Sequence, residues 1–397
     1  MKNFIFISPN FPSNYWKFCR ELQNNGVRVL GIGDEAYDSL TADMKGSLTE
    51  YYKVDDLKNY DEVFRAVAFF TFKYGKIDYI ESNNEYWLER DALLRTEFNI
   101  DTGFKKTDIK KIKLKSAMKT YYKKAGVKTA RHCLAKSLAV CEKFIKQVGY
   151  PVIVKPDNGV GASDTHKIDG DEQLKAFLKS KPKKVSYIME EFIDGEVNSY
   201  DAIIDSKGNP IFETGNITPK SLMDVVNTGD SCLYYIVNQL APDVQKLGRK
   251  TVKAFKVKSR FVHFEFFRLL SDRHIGKKGE VVALEVNMRP AGGITPDMMN
   301  YANSTNVFKI WADMIAYDSS LVTLGERYFC AFAGRRDGVD YAYSEQDIID
   351  RFGANIKIIQ RVPDVLAGTM GNIMYIANFK NKEELDEFYA EVTKVRQ

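Results

Sequence analysis

The chain has 397 residues, a formal net charge of +5 and an ordinary globular composition, with 44% hydrophobic and 28% charged residues. It is long enough to fold around two or more hydrophobic cores. The modest basic excess suits an enzyme for anionic ligands, and the sequence shows neither a basic tail nor an aromatic RNA-binding motif. No apolar run approaches the roughly 20 residues of a membrane span. Neither nucleic acid nor a membrane is therefore expected as a partner.

The cysteines and histidines argue against a His- or Cys-based metal centre and against a disulfide framework. The five cysteines are scattered without a C-x-x-C pair, and the four histidines show no i, i+4 spacing. Reduced thiols in the cytoplasm are the simplest interpretation. His132 and Cys133 are neighbours on a predicted strand and point to opposite faces, which favours structural roles over a nucleophilic pair. The opening MKNFIFISP predicts a first strand rather than a signal peptide.

The first hundred residues predict a doubly wound parallel α/β unit, because short apolar strands alternate with amphipathic helices. The predicted strands cover residues 4–7, 27–32 and 77–80, and the predicted helices cover residues 14–22, 60–73 and 86–95. The first turn lacks G-x-G-x-x-G, so a dinucleotide role is unsupported. Glu85 follows the third strand in the run ESNNE. It is either a substrate contact at the carboxyl edge of the sheet or an acid favoured by a helix N-terminus.

A lysine-rich segment and a glycine-rich loop come next. Residues 105–125 predict one helix that ends at Gly126, with most of its lysines on a solvated face. Residues 152–155 predict a strand that delivers Lys155 to the start of the loop PDNGVGASDT. A glycine-rich turn exposes backbone N–H groups to phosphate oxygens, and the lysine adds a point charge, although G-K-[ST] of a Walker motif is absent. A plain β-turn between two strands is the alternative.

An extended segment over residues 185–192 ends in two acids and is followed by Ile193 and Gly195. Such a segment could pair its backbone with adenine, a role that requires no particular side chain. Further strands are predicted over residues 198–204 and 211–218, followed by a polar loop near the substrate over residues 221–229 and a helix over residues 241–255.

Two apolar strands, residues 262–267 and 281–286, carry the most informative residues. Each strand contains one acid, Glu265 or Glu285, and the connection between them is polar. Because strand side chains alternate, Glu285 and Asn287 share a face, and Glu265 reaches the same face if the strands form a hairpin. Two carboxylates and an amide oxygen are ligands that Mg²⁺ prefers, and Arg289 just beyond them could hold a phosphate or carboxylate. A surface hairpin with exposed acids is the alternative.

The last third of the chain carries weaker signals. Gly292 and Gly293 precede a predicted helix over residues 295–302, where backbone N–H groups could bind a substrate carboxylate. A second helix is predicted over residues 307–316. From about residue 325 the pattern predicts a small α+β unit, with strands over residues 328–333, 356–360 and 372–377.

Taken in order, these segments resemble the ATP-grasp superfamily. The resemblance rests on the lysine helix before A-G-V, Y-P-V-I-V-K-P with its glycine loop, E-E-F-I-x-G-E, and H-F-E-F followed by A-L-E-V-N-M-R-P-A-G-G. It covers roughly residues 1–320. The C-terminal piece is similar to the extra domain of the carboxylate–amine ligase branch, which includes the dipeptide ligases.

The resemblance implies a role for each matching residue. Glu265, Glu285 and Asn287 would hold two Mg²⁺ ions, with Mn²⁺ as a substitute, against the phosphates of ATP. Arg289 and Lys155 would act in catalysis, and Glu85, Arg289, Gly292 and Gly293 would contact the substrate. The nucleotide would be bound by Lys115 (or Lys113 in its place), Lys155, Gly159, Gly161, Ser163, Glu190, Glu191, Phe192, Ile193 and Glu196. Within that set, Glu190 would face the adenine amino group and Glu196 the ribose.

The implied architecture combines α/β and α+β parts. It has an N-terminal α/β domain (1–100), a lysine helix with the lid (101–185), a central catalytic domain (186–324) and a C-terminal α+β domain (325–397). The implied activity is ATP-dependent ligation of a small carboxylate to an amine through an acyl phosphate, with ADP and phosphate released. Amino acids or related metabolites are the expected substrates, and a homodimer is compatible with the sequence.

Two other functions stay open at this point. One keeps the ATP chemistry with a different acceptor, as in purine-pathway or carbamoyl-phosphate-synthase-like enzymes. The other is a nucleotide-binding regulatory protein without turnover, which the retained acids and Arg289 argue against.

Overall fold

The computed structural model describes residues 1–159, 164–219 and 230–396. It opens with a parallel four-stranded sheet in the order β3-β2-β1-β4, as the alternation of strands and helices predicts. These strands are β1 (Asn3–Ile7), β2 (Arg28–Gly33), β3 (Glu50–Lys53) and β4 (Tyr79–Glu81). Their connections contain helices Trp16–Asn24, Ala42–Lys45 and Tyr60–Tyr74 and a 3₁₀ turn Tyr37–Ser39, and helix Leu88–Glu97 follows β4. The short, half-exposed β3 has no apolar run and was not predicted.

The single helix predicted over residues 105–125 is wrong. The segment consists of a 3₁₀ turn, Lys106–Asp108, and two helices, Ile109–Lys113 and Lys115–Lys124. Leu114 separates the helices with an extended backbone, at φ −85° and ψ 115°. The first turn of the second helix is held by Asp157, whose carbonyl accepts from Lys115 N at 2.9 Å and whose carboxylate accepts from Ser116 N at 2.7 Å. A carboxylate at a helix N-terminus is favoured by the helix dipole.

A small antiparallel sheet forms the lid, in the order β5-β8-β6-β7. Its strands are β5 (His132–Leu134), β6 (Val152–Pro156), β7 (His166–Ile168) and β8 (Tyr187–Glu191), and it carries helices Leu138–Val148 and Asp171–Ser180. Phe144, Leu174 and Met189 are among the residues of a hydrophobic core that belongs to the lid alone. The lid is therefore packed as a unit of its own.

The central sheet has nine strands within the described residues. They are β9 (Gly195–Ile204), β10 (Pro210–Thr214), β11 (Asn216–Thr218), β12 (Leu233–Ile236), β13 (Arg260–Leu269), β14 (Val281–Asn287), β15 (Phe329–Arg335), β16 (Ile356–Arg361) and β17 (Ile373–Phe379). The helices of this part are Pro242–Phe255, Thr295–Asn303, Val307–Tyr317, Glu345–Phe352, Asp364–Met370 and Lys382–Val392. The predicted C-terminal α+β unit is thus present, and its three strands continue the central sheet, because β15 pairs with β12.

Aromatic packing joins the N-terminal sheet to the central sheet. Trp311 lies edge-on to Phe18 at 5.0 Å and to Phe4 at 5.6 Å between ring centroids. These rings belong to one core that also includes Phe261 of β13 and Ile236 of β12. None of the helices in the described part of the chain combines the length and the apolar character needed to cross a membrane.

A buried charge network is a second link between the two sheets. Glu81 Oε2, at the end of β4, lies 2.9 Å from Arg95 Nη2 and 2.6 Å from Arg260 Nη2. Arg260 begins β13, and its Nη1 donates to the Met288 carbonyl at 2.7 Å. Burial would raise the pKa of Glu81, but Arg260 and Arg95 hold it below its usual value. The network fastens the segment after β14 to the N-terminal sheet.

Asp91 is a second, unpaired acid beside this network. Its Oδ2 accepts from Ser82 N at 3.1 Å and from Ser82 Oγ at 2.7 Å. Burial and the charge of Glu81 raise the pKa of Asp91 to about 7. Between the ordinary pKa of an aspartate and about pH 7, native Asp91 therefore keeps a proton that the unfolded chain has lost.

Asp91→Asn is expected to flatten the pH dependence of stability. A raised folded-state pKa makes the free energy of unfolding fall as pH rises, by about 1.4 kcal/mol per pH unit for one group, between the unfolded and folded pKa values. Urea unfolding of both proteins between pH 4.5 and 8 measures this slope. The variant should gain stability relative to the parent as pH rises, and parallel curves would contradict the prediction. Asp337→Asn, on an exposed pair with Arg361, is the control.

Candidate active site

The predicted hairpin is present, and its register decides the site. Strands β13 and β14 pair antiparallel, with Glu265 opposite Glu285 and His263 opposite Asn287. Residues directly opposite each other in such a pair project from the same face, and so do residues two apart on one strand. Glu265, Glu285 and Asn287 therefore lie together, as the sequence predicts. The strands run several residues beyond the predicted bounds, with a bulge after Glu265.

The predicted phosphate lysines approach this face from two directions. Lys115 Nζ lies 3.1 Å from Glu285 Oε1 and donates to the Gly159 carbonyl at 3.1 Å. Lys155 Nζ lies 2.7 Å from Glu190 Oε2. Burial alone would lower the pKa of Lys155, but Glu190, Glu285 and Glu265 raise it. The structure thus brings the hairpin, the start of the glycine loop and Glu190 to one place.

Lys119 is a buried cation that sequence reasoning missed. Its Nζ lies 2.5 Å from Glu190 Oε1, so Glu190 is held between two lysines. Burial would raise the pKa of Glu190, but Lys119 and Lys155 hold it well below its usual range. For Lys119, burial lowers the pKa more than the charge of Glu190 raises it, so the pKa is lowered. The signal was available, because Lys115 and Lys119 are one helical turn apart and share a face.

The break at Leu114 places Lys113 and Lys115 against different groups. Lys113 Nζ lies 2.8 Å from Glu85 Oε1 and also donates to the Glu85 carbonyl at 3.2 Å. Lys115, just past the break, reaches Glu285 and Gly159. The extended residue between the two helices explains how lysines two positions apart serve different clusters.

The predicted substrate residues form a second cluster beside the first. Arg289 Nε lies 3.9 Å from Glu85 Oε2, and Arg289 Nη1 donates to the Pro290 carbonyl at 2.8 Å. Gly293 has φ +61°, and a Cβ added there or at Gly292 would meet no atom of the described residues within 4 Å. The Gly293 carbonyl accepts from Asn14 Nδ2 at 3.1 Å. The turn therefore faces open space next to Arg289.

The other predicted nucleotide contacts have varied surroundings. Glu191 is tied to Arg131, accepting from its backbone N at 2.7 Å and its Nε at 2.8 Å. Ile193 is buried against Leu269 and Val282. Phe192 lies under Lys167 Nζ at 5.2 Å, and Glu196 Oε1 accepts from Asn198 Nδ2 at 3.1 Å. Gly161, Ser163 and the loop predicted over residues 221–229 lie outside the described residues.

The oxygen donors of the hairpin could hold a hard divalent cation only if a bound ligand or water supplied further oxygen atoms. In the described ranges, no group of three or more His, Cys, Asp and Glu side chains is arranged to hold a metal. Glu265, Glu285 and Asn287 supply two carboxylates and one amide, so phosphate oxygens or water would complete the coordination. Burial would raise the pKa of Glu265, but His263, Arg289 and Lys155 lower it, which keeps this donor ionised. The donor set matches Mg²⁺ or Mn²⁺ rather than a softer metal.

The cysteines do not join this site. All five are unpaired thiols, and burial raises the pKa of Cys133 to about 11, which suppresses its thiolate. The structural interpretation of Cys133 is consistent with this. A cavity of about 710 Å³, lined by residues such as Tyr301, Asn355 and Asn378, contains none of the predicted site residues.

Comparison with known proteins identifies one domain of the chain. Residues 148–297, which contain Lys155, residues 190–196 and the whole hairpin, match the model of the ATP-grasp domain. This part of the chain is an ATP-grasp domain. The predictions of an ATP-grasp fold and of an ATP-dependent ligase that forms C–N bonds are confirmed at the level of the family.

Individual relatives of this chain are distant. An L-arginine-specific L-amino acid ligase of Bacillus subtilis is 26% identical over 303 residues, which is 74% of this chain and 70% of that protein. The crystal structure of an L-amino acid ligase from Bacillus licheniformis superposes with a TM-score of 0.70 at 15% identity, over 99% of this chain and 97% of that one.

A second similar structure was solved with a nucleotide. It is the biotin carboxylase domain dimer of the 2-oxoglutarate carboxylase of Hydrogenobacter thermophilus, in complex with MgADP and bicarbonate. Its TM-score is 0.69 at 15% identity, over 100% of this chain and 90% of that one. At such identities the two structures show the shared fold alone.

Lys115→Met and Lys113→Met are expected to separate the two clusters. Loss of a charged hydrogen bond costs about 1.5–3 kcal/mol, so Lys115→Met should weaken ATP binding roughly 10- to 100-fold. Lys113→Met should leave ATP affinity nearly unchanged, because Lys113 contacts Glu85. Calorimetric titration with ATP measures both, and circular dichroism checks folding. The opposite ranking would assign the phosphate contact to Lys113.

Proposed function

We propose that this ATP-grasp protein ligates a small carboxylic acid to an amine, with amino acids as substrates. The carboxylate oxygen attacks the γ-phosphorus of ATP, and the bond to ADP breaks to leave an acyl phosphate. The amine nitrogen then attacks the acyl carbon, phosphate departs with the C–O bonding electrons, and the nitrogen loses a proton. The products are an amide, ADP and phosphate. Such a reaction depends mainly on positioning and on offsetting charge.

The observation that carries the proposal is the double contact of Lys115. One buried ammonium touches Glu285 of the hairpin and the Gly159 carbonyl at the start of the glycine loop. Lys119 and Lys155 both pair with Glu190, so three buried lysines gather around Glu190 and Glu285. A polyphosphate chain would pair with these cations, which is why we assign ATP to this cluster.

Glu265, Glu285 and Asn287 would hold the divalent cations. When bound, Mg²⁺ would link phosphate oxygens and offset their charge. The protein's own contribution is the fixed register of the two strands, which keeps the donors on one face. Lys115 and Lys155 would neutralise the phosphates, and Arg289 would hold the transferred phosphoryl group or the acyl phosphate.

The acid and amine would bind at the cluster of Glu85, Arg289 and the Gly292–Gly293 turn. This cluster lies beyond the carboxyl end of β4, next to β1, where the strand order of the N-terminal sheet reverses. Open parallel sheets bind ligands at such a reversal. The amino acid ligases among the similar proteins support amino acids as substrates. The expected homodimer stays a prediction.

ADP release in the presence of Mg²⁺, ATP and pairs of amino acids tests the proposal. Glu285→Gln keeps the shape of the side chain and removes its charge, so it should lower turnover roughly 10²- to 10³-fold while the fold stays intact. Glu280→Gln, whose acid pairs with Lys128 on the surface, should behave as the parent protein. Tight ATP binding without ADP release for any acid–amine pair would instead favour a regulatory protein, and a fully active Glu285→Gln would remove the metal assignment.

A further inference from the structure

His263 forms a hydrogen-bonded bridge along the hairpin face. It lies on β13, opposite Asp201 on β9 and two residues before Glu265. Its Nδ1 lies 2.8 Å from Asp201 Oδ1, and its Nε2 lies 3.2 Å from Glu265 Oε1. Asp201 is fully buried and His263 nearly so. The bridge therefore joins a buried acid to an acid on the face of the site.

The buried end of this bridge is anchored in the sheet. The Ser199 hydroxyl donates to Asp201 Oδ2, and Ser199 Oγ in turn accepts from Asn216 N at 2.7 Å. The sequence Asn216, Ser199, Asp201, His263 and Glu265 thus spans β11, β9 and β13. Each link fixes the orientation of the next, because the donors and acceptors alternate along the chain of bonds.

The two ring nitrogens of His263 face carboxylate oxygens of Asp201 and Glu265. The contact with Asp201 orients the ring, and the hydrogen bond to Oε1 restricts the rotation of the Glu265 carboxylate. A histidine placed behind a ligating carboxylate acts by holding that carboxylate in one orientation.

We propose that His263 is a positioning residue for the divalent cation site, which it serves by aiming the Glu265 carboxylate toward Glu285 and Asn287. The inference rests on the proposed function, because Glu265 is a ligand only in that proposal. Asp201 and Ser199 take part by holding the imidazole. The role requires the bond from Nε2, not only the presence of a bulky residue at position 263.

Two amide variants separate the ends of the bridge. His263→Asn places an N–H near the position of Nδ1, so it keeps the hydrogen bond to Asp201 and loses the one to Glu265. His263→Gln reaches the position of Nε2, so it keeps the hydrogen bond to Glu265 and loses the one to Asp201. Mn²⁺ binding to the protein–ADP complex, followed by electron paramagnetic resonance, reports the cation site without turnover. Calorimetry gives ADP affinity without metal, and thermal unfolding gives stability.

His263→Asn should weaken Mn²⁺ binding roughly 10- to 100-fold, the effect typical of losing a partner behind a metal ligand. His263→Gln should bind Mn²⁺ almost as tightly as the parent protein, because it keeps the bond to Glu265. ADP affinity without metal should match the parent in both variants. Equal Mn²⁺ affinity in the two variants, whether unchanged or equally reduced, would overturn the positioning role.

Glu265→Gln distinguishes this failure from failure of the proposed function. Weaker Mn²⁺ binding in Glu265→Gln, with parent-like binding in His263→Asn, would leave the cation site standing and refute the role of His263 alone. Parent-like Mn²⁺ binding in Glu265→Gln would show that Glu265 is not a ligand, and the metal assignment would fall with the inference.

Discussion

The pairing register of β13 and β14 is the constraint on which the candidate site depends. Because side chains alternate along a strand, a slip of one residue would turn Glu285 and Asn287 into the core and bring Val286 to the active face. Such a slip is opposed in both strands, since Val286 of β14 and Phe264 of β13 belong to a buried core. Ten consecutive residues of β13 also pair with β9, from Arg260 to Leu269. The packing of the sheet and the placement of the acids are therefore one requirement.

The buried lysines around this hairpin are already paired with acids in the absence of a nucleotide. Lys115, Lys119 and Lys155 are buried, and each has an acidic partner, so no isolated charge bears the full cost of desolvation. The ion pairs keep long side chains close to the positions in which a nucleotide would need them. A bound polyphosphate would exchange partners with these pairs rather than recruit side chains from solvent, which lowers the reorganisation that binding requires.

Local pattern was sufficient for much of the architecture and for the hairpin. Alternation predicts that Glu285 and Asn287 share a face, and the same rule applied to His263 and Glu265 would have shown that the imidazole is nearby. The partner Asp201 could not be found this way, because its position depends on the pairing of strands 62 residues apart. The break at Leu114 was also hidden, since it is stabilised by Asp157 from the lid loop. Long-range pairing, not propensity, decided both features.

The lid and the C-terminal part differ in how easily recombination could exchange them between related proteins. The lid has its own core, so a foreign lid joined near residues 130 and 191 would bring its interior with it. The C-terminal part has no such independence: β15 completes the hydrogen bonding of β12, Phe332 stacks on Tyr234 at 4.8 Å, and the Tyr389 hydroxyl donates to the Tyr234 carbonyl. A transplanted C-terminal part would have to match β12 residue by residue, so these strands must diverge together.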